Sequence, residues 1–171
     1  MNAPTEPSGH TLLALEQQAR RHGTQLTASE LHGEWWLHRL WSREGNDQGA
    51  TAAMLRGIGA CLAISACGNT DDAPALQLRN RVTLGAVALE FSGPGWLSGR
   101  RPLLRFRFER MALLWGGRQL WHTQLPAPAA KTLPFFALIS CERRADQGWL
   151  AARGRGGGLA LWQLRPSATR G

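Results

Sequence analysis

From residue 31 onward, apolar side chains return at every second position in one short segment after another. The plainest case is Leu104-Arg105-Phe106-Arg107-Phe108-Glu109-Arg110, with Leu104, Phe106 and Phe108 on one side and Arg105, Arg107 and Glu109 on the other. Successive side chains of an extended chain point to opposite faces, so this spacing reads as a strand with one apolar face. Similar segments lie at 31–42, 75–84, 86–92, 111–115, 118–123, 135–143, 148–153 and 159–164. Trp115-Gly116-Gly117-Arg118 and the glycine-rich stretch 154–158 read as hairpin turns between them. Antiparallel strands with one apolar face each must pack as two sheets or close into one, and closure also removes exposed edges. The expected fold is mainly β, an antiparallel barrel of about 8–10 strands. The interior of a small barrel either fills with side chains or holds one ligand.

Before residue 31 the period changes. Leu12, Leu15 and Ala19 recur at helical spacing over 11–22, with Thr11 as the expected cap and Gly23 as the stop. Thr27 and Glu30 make a capping-box pair for a short turn over 27–31. Residues 1–10 and 166–171 read as a flexible arm and tail around one barrel domain, 11–165, that includes the N-terminal helix.

The chain has 171 residues, 43% of them hydrophobic, which excludes wholesale disorder. Its longest apolar run, 58–67, is too short and too rich in small residues to span a bilayer. Residues 1–10 lack a basic start followed by an apolar segment, so the expected location is cytoplasmic. Cys61, Cys67 and Cys141 are an odd number with no CxxC spacing. Mostly buried, reduced thiols are expected, with neither metal nor cofactor. The net charge is +8, and Lys131 is the one lysine among 20 basic residues.

No nucleophile elbow, phosphate loop or HExxH motif is present, and an enzyme is not expected. His32, Glu34 and His38 share one face at 31–42, but six residues of extended chain hold the two histidines about 20 Å apart, so the face reads as solvated. Arg100, Arg101, Arg105, Arg107 and Arg110 gather on and beside one strand. Such charges either keep a strand soluble or hold an anionic membrane surface or an acidic protein. Nucleic acid is disfavoured, because one Arg-Gly tract between strands is unsupported by any recognition module.

The run Leu31-x-Gly33-x-Trp35-x-Leu37 resembles the opening of the plastid lipid-associated protein family, also called fibrillins, and the G-x-W opening of lipocalins. Residues 89–117 are similar to that family's middle region. Residues 145–164 place Arg153, Gly154, Gly156 and Gly157 on its closing R-G-D-G-G motif. The chain departs from the pattern at Arg39, usually tyrosine, and at Arg155, usually aspartate; of the acidic stretch only Asp146 survives. The resemblance implies a lipocalin-like barrel of a photosynthetic organism, such as a cyanobacterium, at the periphery of a thylakoid membrane. The implied cargo is a lipid, a prenylquinone or a pigment.

Three residues have expected structural jobs. Gly33 lets the chain enter the first strand, Trp35 plugs the barrel floor, and Arg153 lies across the Trp35 indole. Trp41, Phe106, Phe108, Trp121, Phe136 and Trp162 are the candidate lining of a hydrophobic cavity. The functional expectation is therefore non-enzymatic binding of a hydrophobic small molecule. The alternatives are a solid barrel that assembles with an acidic protein and a bilin lyase-like protein.

Overall fold

The computed structural model describes residues 5–57, 59–67, 76–129 and 132–165. Residues 1–4 of the expected arm, the whole expected tail 166–171 and position 75 of one expected strand lie outside the described residues. The chain runs through helix α1 (Gly9–His22), a 3-10 turn (Ser29–Leu31), strand β1 (Gly33–Trp41) and helix α2 (Gly49–Gly57). Then follow β2 (Cys61–Ala66), β3 (Leu76–Leu84), β4 (Val87–Ser98), β5 (Leu103–Phe106), β6 (Arg110–Trp115) and β7 (Arg118–Gln124). The last three strands are β8 (Phe135–Arg144), β9 (Gln147–Gly154) and β10 (Leu159–Arg165).

Eight strands close into an antiparallel, lipocalin-like barrel in the order β1-β2-β3-β4-β5-β8-β9-β10, with β10 returning to β1. The remaining pair, β6 and β7, forms a hairpin outside the ring. The first half of β4 (Val87–Ser92) pairs with β6, whereas its second half (Gly95–Ser98) pairs with β5. The partners change at Gly93, where a Cβ would collide with the Arg107 carbonyl oxygen. Only glycine permits that approach. The alternating run 104–110 is thus one strand as far as Phe106 and a crossing to the hairpin after it.

Sequence periodicity overlooks β2 and α2. In Cys61-Leu62-Ala63-Ile64-Ser65-Ala66, Leu62 and Ile64 face inward, but small residues between them blur the alternation. Helix α1 starts two residues before Thr11, because the Ser8 hydroxyl accepts the Thr11 N–H at 3.2 Å and does the capping. Gly23 ends it, donating its N–H to the Ala19 carbonyl at 3.0 Å. No helix among the described residues is long and apolar enough to cross a membrane.

The alternation builds an inner and an outer apolar core, besides a small cluster of Ala88, Ala112 and Leu114 on β4 and β6. Leu62, Ile64, Leu78, Leu104, Leu138 and Leu150 point into the barrel. Ile139, Trp149, Ala151, Leu159 and Leu161 point the other way and are covered by Leu12 of α1. Strands β8 to β10 are therefore buried on both faces, which is why their sequences are nearly continuous in apolar residues.

Candidate functional site

Trp35 is fully buried, and its indole N–H donates to the Leu31 carbonyl at 2.7 Å. In register with Leu62 and Leu164, the ring lies in the inner core toward the end of the barrel away from the 154–158 turn. Gly33, at φ +144°, leaves room for Leu164, whose Cδ1 lies 2.5 Å from where a Cβ would be. The opposite end holds a cavity of about 340 Å³. Phe106, Phe108, Phe136 and Trp162 line it, as expected from their spacing, together with Leu37, Leu40, Ala60, Leu62 and Ala160, which sequence reasoning missed. The Asn80 carboxamide is a polar side chain in it besides the Trp162 indole, while Cys61 lies at its edge in register with outward-facing Trp36 and Arg81.

The aromatic rings are in series. Phe91 and Phe108 have centroids 5.7 Å apart, Phe108 and Phe106 5.1 Å, and Phe106 and Phe136 5.5 Å. Trp162 meets Phe136 edge-on at 5.2 Å. These spacings suit offset and edge-to-face contacts, and the series carries the barrel's lining out to the hairpin. There the register builds cross-strand rows on the same face of the sheet. Val82, Leu89, Leu113 and Trp121 make one row, and Leu84, Val87, Trp115 and Arg118 the next. Trp115 is 58% and Trp121 51% exposed, so an apolar apron extends from the cavity mouth to solvent.

Two of the expected cavity residues are elsewhere. Trp41 packs on the outside of the barrel beneath Leu12 of α1. A β-bulge between Leu37 and Arg39 adds one residue to β1, and a one-residue slip turns every later side chain to the other face. Leu40 therefore faces the cavity while Arg39 turns outward to Asp47 at 2.5 Å. Trp121 lies on the apron, outside the ring, because β7 belongs to the projecting hairpin.

Arg153 is also displaced from its expected place. It sits one position after inward-facing Ala152 and therefore points outward, away from the Trp35 indole. Its Nη2 binds Glu16 Oε2 at 2.5 Å and its Nε binds Oε1 at 2.8 Å. Indole faces are instead covered by Arg165 over Trp36, at 4.5 Å, and Arg39 over Trp41, at 5.4 Å.

The expected arginine stripe is dispersed, since the chain leaves the barrel between 106 and 110. Arg101 turns to Glu16 at 2.6 Å, Arg107 pairs with Glu109 at 2.7 Å, and Arg110 donates to Gln119 on the hairpin. Arg105 is exposed on the outer wall, and Arg100 lies in the turn after β4.

Glu16 is the centre of a second arrangement. Burial opposes its ionisation, but hydrogen bonds from Arg153 and Arg20, the Arg153 charge and a hydrogen bond from Arg101 outweigh that and hold its carboxyl at about 2. Outside this cluster is a hollow of about 490 Å³ lined by Arg20, Arg43, Arg101, Arg153 and Arg155. The three cysteines are free thiols. Burial pushes Cys61 and Cys141 up to about 11, whereas Cys67 is exposed, contrary to expectation for a small hydrophobe. Among the described residues no group of three or more His, Cys, Asp or Glu side chains is placed to hold a metal ion. Compared with protein-family models, curated proteins and solved structures, the chain matches none.

Proposed function

We propose that this protein binds a hydrophobic small molecule inside its barrel, without catalysis, and loads it at an anionic membrane surface. The observation that carries the reading is the apolar cavity of about 340 Å³, with Trp35 in the core below it, open toward the apron. Its volume is at the lower end of the range for small-molecule sites, roughly 300–1,000 Å³. A lipid, prenylquinone or pigment with a long tail would fill the cavity and continue along Phe91, Leu89 and Leu113. A solid assembly barrel fits this interior less well. Membership of the plastid lipid-associated family belongs to the same proposal. It rests on the Gly33-x-Trp35 opening and the Arg153–Gly157 ending.

The membrane part rests on the apron. Exposed Leu84, Trp115, Leu120 and Trp121 beside Arg118, in a chain of net charge +8, combine apolar and cationic groups as bilayer-surface elements do. Native mass spectrometry and solvent extraction of the purified protein test the cargo. A co-purifying apolar molecule is expected, and an apo mass with no tryptophan fluorescence response to added hydrophobic ligands would overturn it. Flotation with vesicles tests the surface. Stronger binding to phosphatidylglycerol-containing than to neutral vesicles is expected; equal absence from both overturns that part.

A further inference from the structure

The hollow lined by five arginines lies outside the barrel wall, between the last turn of α1, β5, β8 and the turn after β9. No acidic side chain lines it. Glu16 stands behind the guanidinium groups of Arg20, Arg101 and Arg153 and accepts hydrogen bonds from all three. It therefore fixes the orientation of these three while answering one of their charges. Positive charge stays in excess around a space large enough for a phosphate or carboxylate. Arg43 packs against Gly157, and its charge and that of Arg153 act on the neighbouring Glu44 carboxylate. Arg101 keeps its buried Nε without a hydrogen-bond partner. Guanidinium groups gathered this closely make a positive field that draws an oxyanion into the space between them.

The hollow is a neighbour of the apolar cavity. Gly154 lines both, Gly157 lines the outer one, and Gly158 the inner one. Phe135 and Phe136 divide in the same way, one to each side. The partition between them is the turn 154–158, in which only Arg155 carries a side chain. A wall of glycines is low, and an extended molecule can lie across it.

We propose that the cargo is an anionic amphiphile whose tail occupies the barrel and whose phosphate or carboxylate head is held by Arg43, Arg101 and Arg153 across the Gly154–Gly158 turn. This rests on the reading of the barrel as an apolar binding site and names the chemical class it takes. Preorganised guanidinium groups bind such oxyanions through charge-assisted, often bidentate hydrogen bonds.

The test titrates the full-length protein with dodecanol, dodecyl phosphate and inorganic phosphate, following tryptophan fluorescence and calorimetric heat. Dodecyl phosphate is expected to bind about tenfold or more tighter than dodecanol and to compete with it. Inorganic phosphate is expected to erode the preference without displacing dodecanol. Arg43→Gln, a change at an exposed position, should cut the preference about threefold or more. Arg107→Gln, outside the hollow, should leave it as it was. Equal affinity for the two tailed ligands overturns the head-group site while leaving an apolar carrier. Binding of dodecyl phosphate without competition from dodecanol overturns the shared site. Failure of both tailed ligands to bind overturns the carrier reading itself.

Discussion

A carboxylate only 3% exposed on the buried face of a helix is costly unless its charge is answered, and at Glu16 three guanidinium groups answer it. The group titrates at about 2 in the folded chain, below its ordinary 4.5, so its contribution to stability is complete above about pH 4.5. Protonation removes that contribution as the pH falls from there toward 2, by roughly 3 kcal/mol in all. Urea unfolding across this interval is expected to fall more steeply for the parent protein than for Glu16→Gln, which begins less stable and changes less. The sequence reading of 11–22 rested on Leu12, Leu15 and Ala19 and assigned Glu16 to no site. The available signal was its place four residues after Leu12 and three before Ala19, a charge inside the apolar stripe of α1. Thiols offer a second check at the same scale. Burial raises Cys61 and Cys141 to about 11, so their thiolates are scarce near neutrality. A maleimide reagent on the native protein is expected to label Cys67 alone within minutes, with the other two following only on unfolding.

Whether a residue serves the cavity or the outer wall is decided by elements, and two irregular ones separate the legible from the hidden. Alternation located nine of the ten strands, stopping six residues short of the end of β4 and running four past the end of β5, because one buried face imposes a period of two wherever the side chains are large enough to show it. It also placed Phe106, Phe108, Phe136 and Trp162 on the inside, since no bulge falls between them and the neighbouring residues whose alternation sets their face. It failed for Trp41 because a bulge has no residue signature in His38-Arg39, and for Trp121 because a hairpin outside the ring has the same period as one inside. That hairpin carries a testable consequence. Trp115 and Trp121 touch solvent, so Trp115→Ser with Trp121→Ser should change unfolding free energy by about 0.5 kcal/mol or less per site. The same pair should reduce flotation with phosphatidylglycerol vesicles about tenfold, because both indoles leave the apron's edge. Unchanged flotation would move the membrane contact to another face.

For the molecule as a whole, the two ends of the barrel are built from different chemistry, and that asymmetry makes it a container. The floor is a tryptophan whose one polar atom is satisfied by the turn before β1. The mouth gathers a ring series and a carboxamide, with arginines on the far side of a glycine turn. A closed antiparallel barrel holds these parts without exposing the edges of its own eight strands, leaving β7 as the free edge. If the space inside is the binding site, filling it should abolish binding while sparing the fold. Ala160 faces the cavity between Leu40 of β1 and Ala152 of β9, where extra methyl groups have room to enter. Ala160→Leu is expected to shift unfolding free energy by less than about 1.5 kcal/mol in either direction. Its effect on ligand linkage should be far larger. A ligand present at a hundred times its dissociation constant stabilises the parent by about 2.7 kcal/mol, and the variant should show a small fraction of that under identical conditions. Equal stabilisation of the two proteins, read as the same rise in melting temperature, would place the ligand on the outside of the barrel.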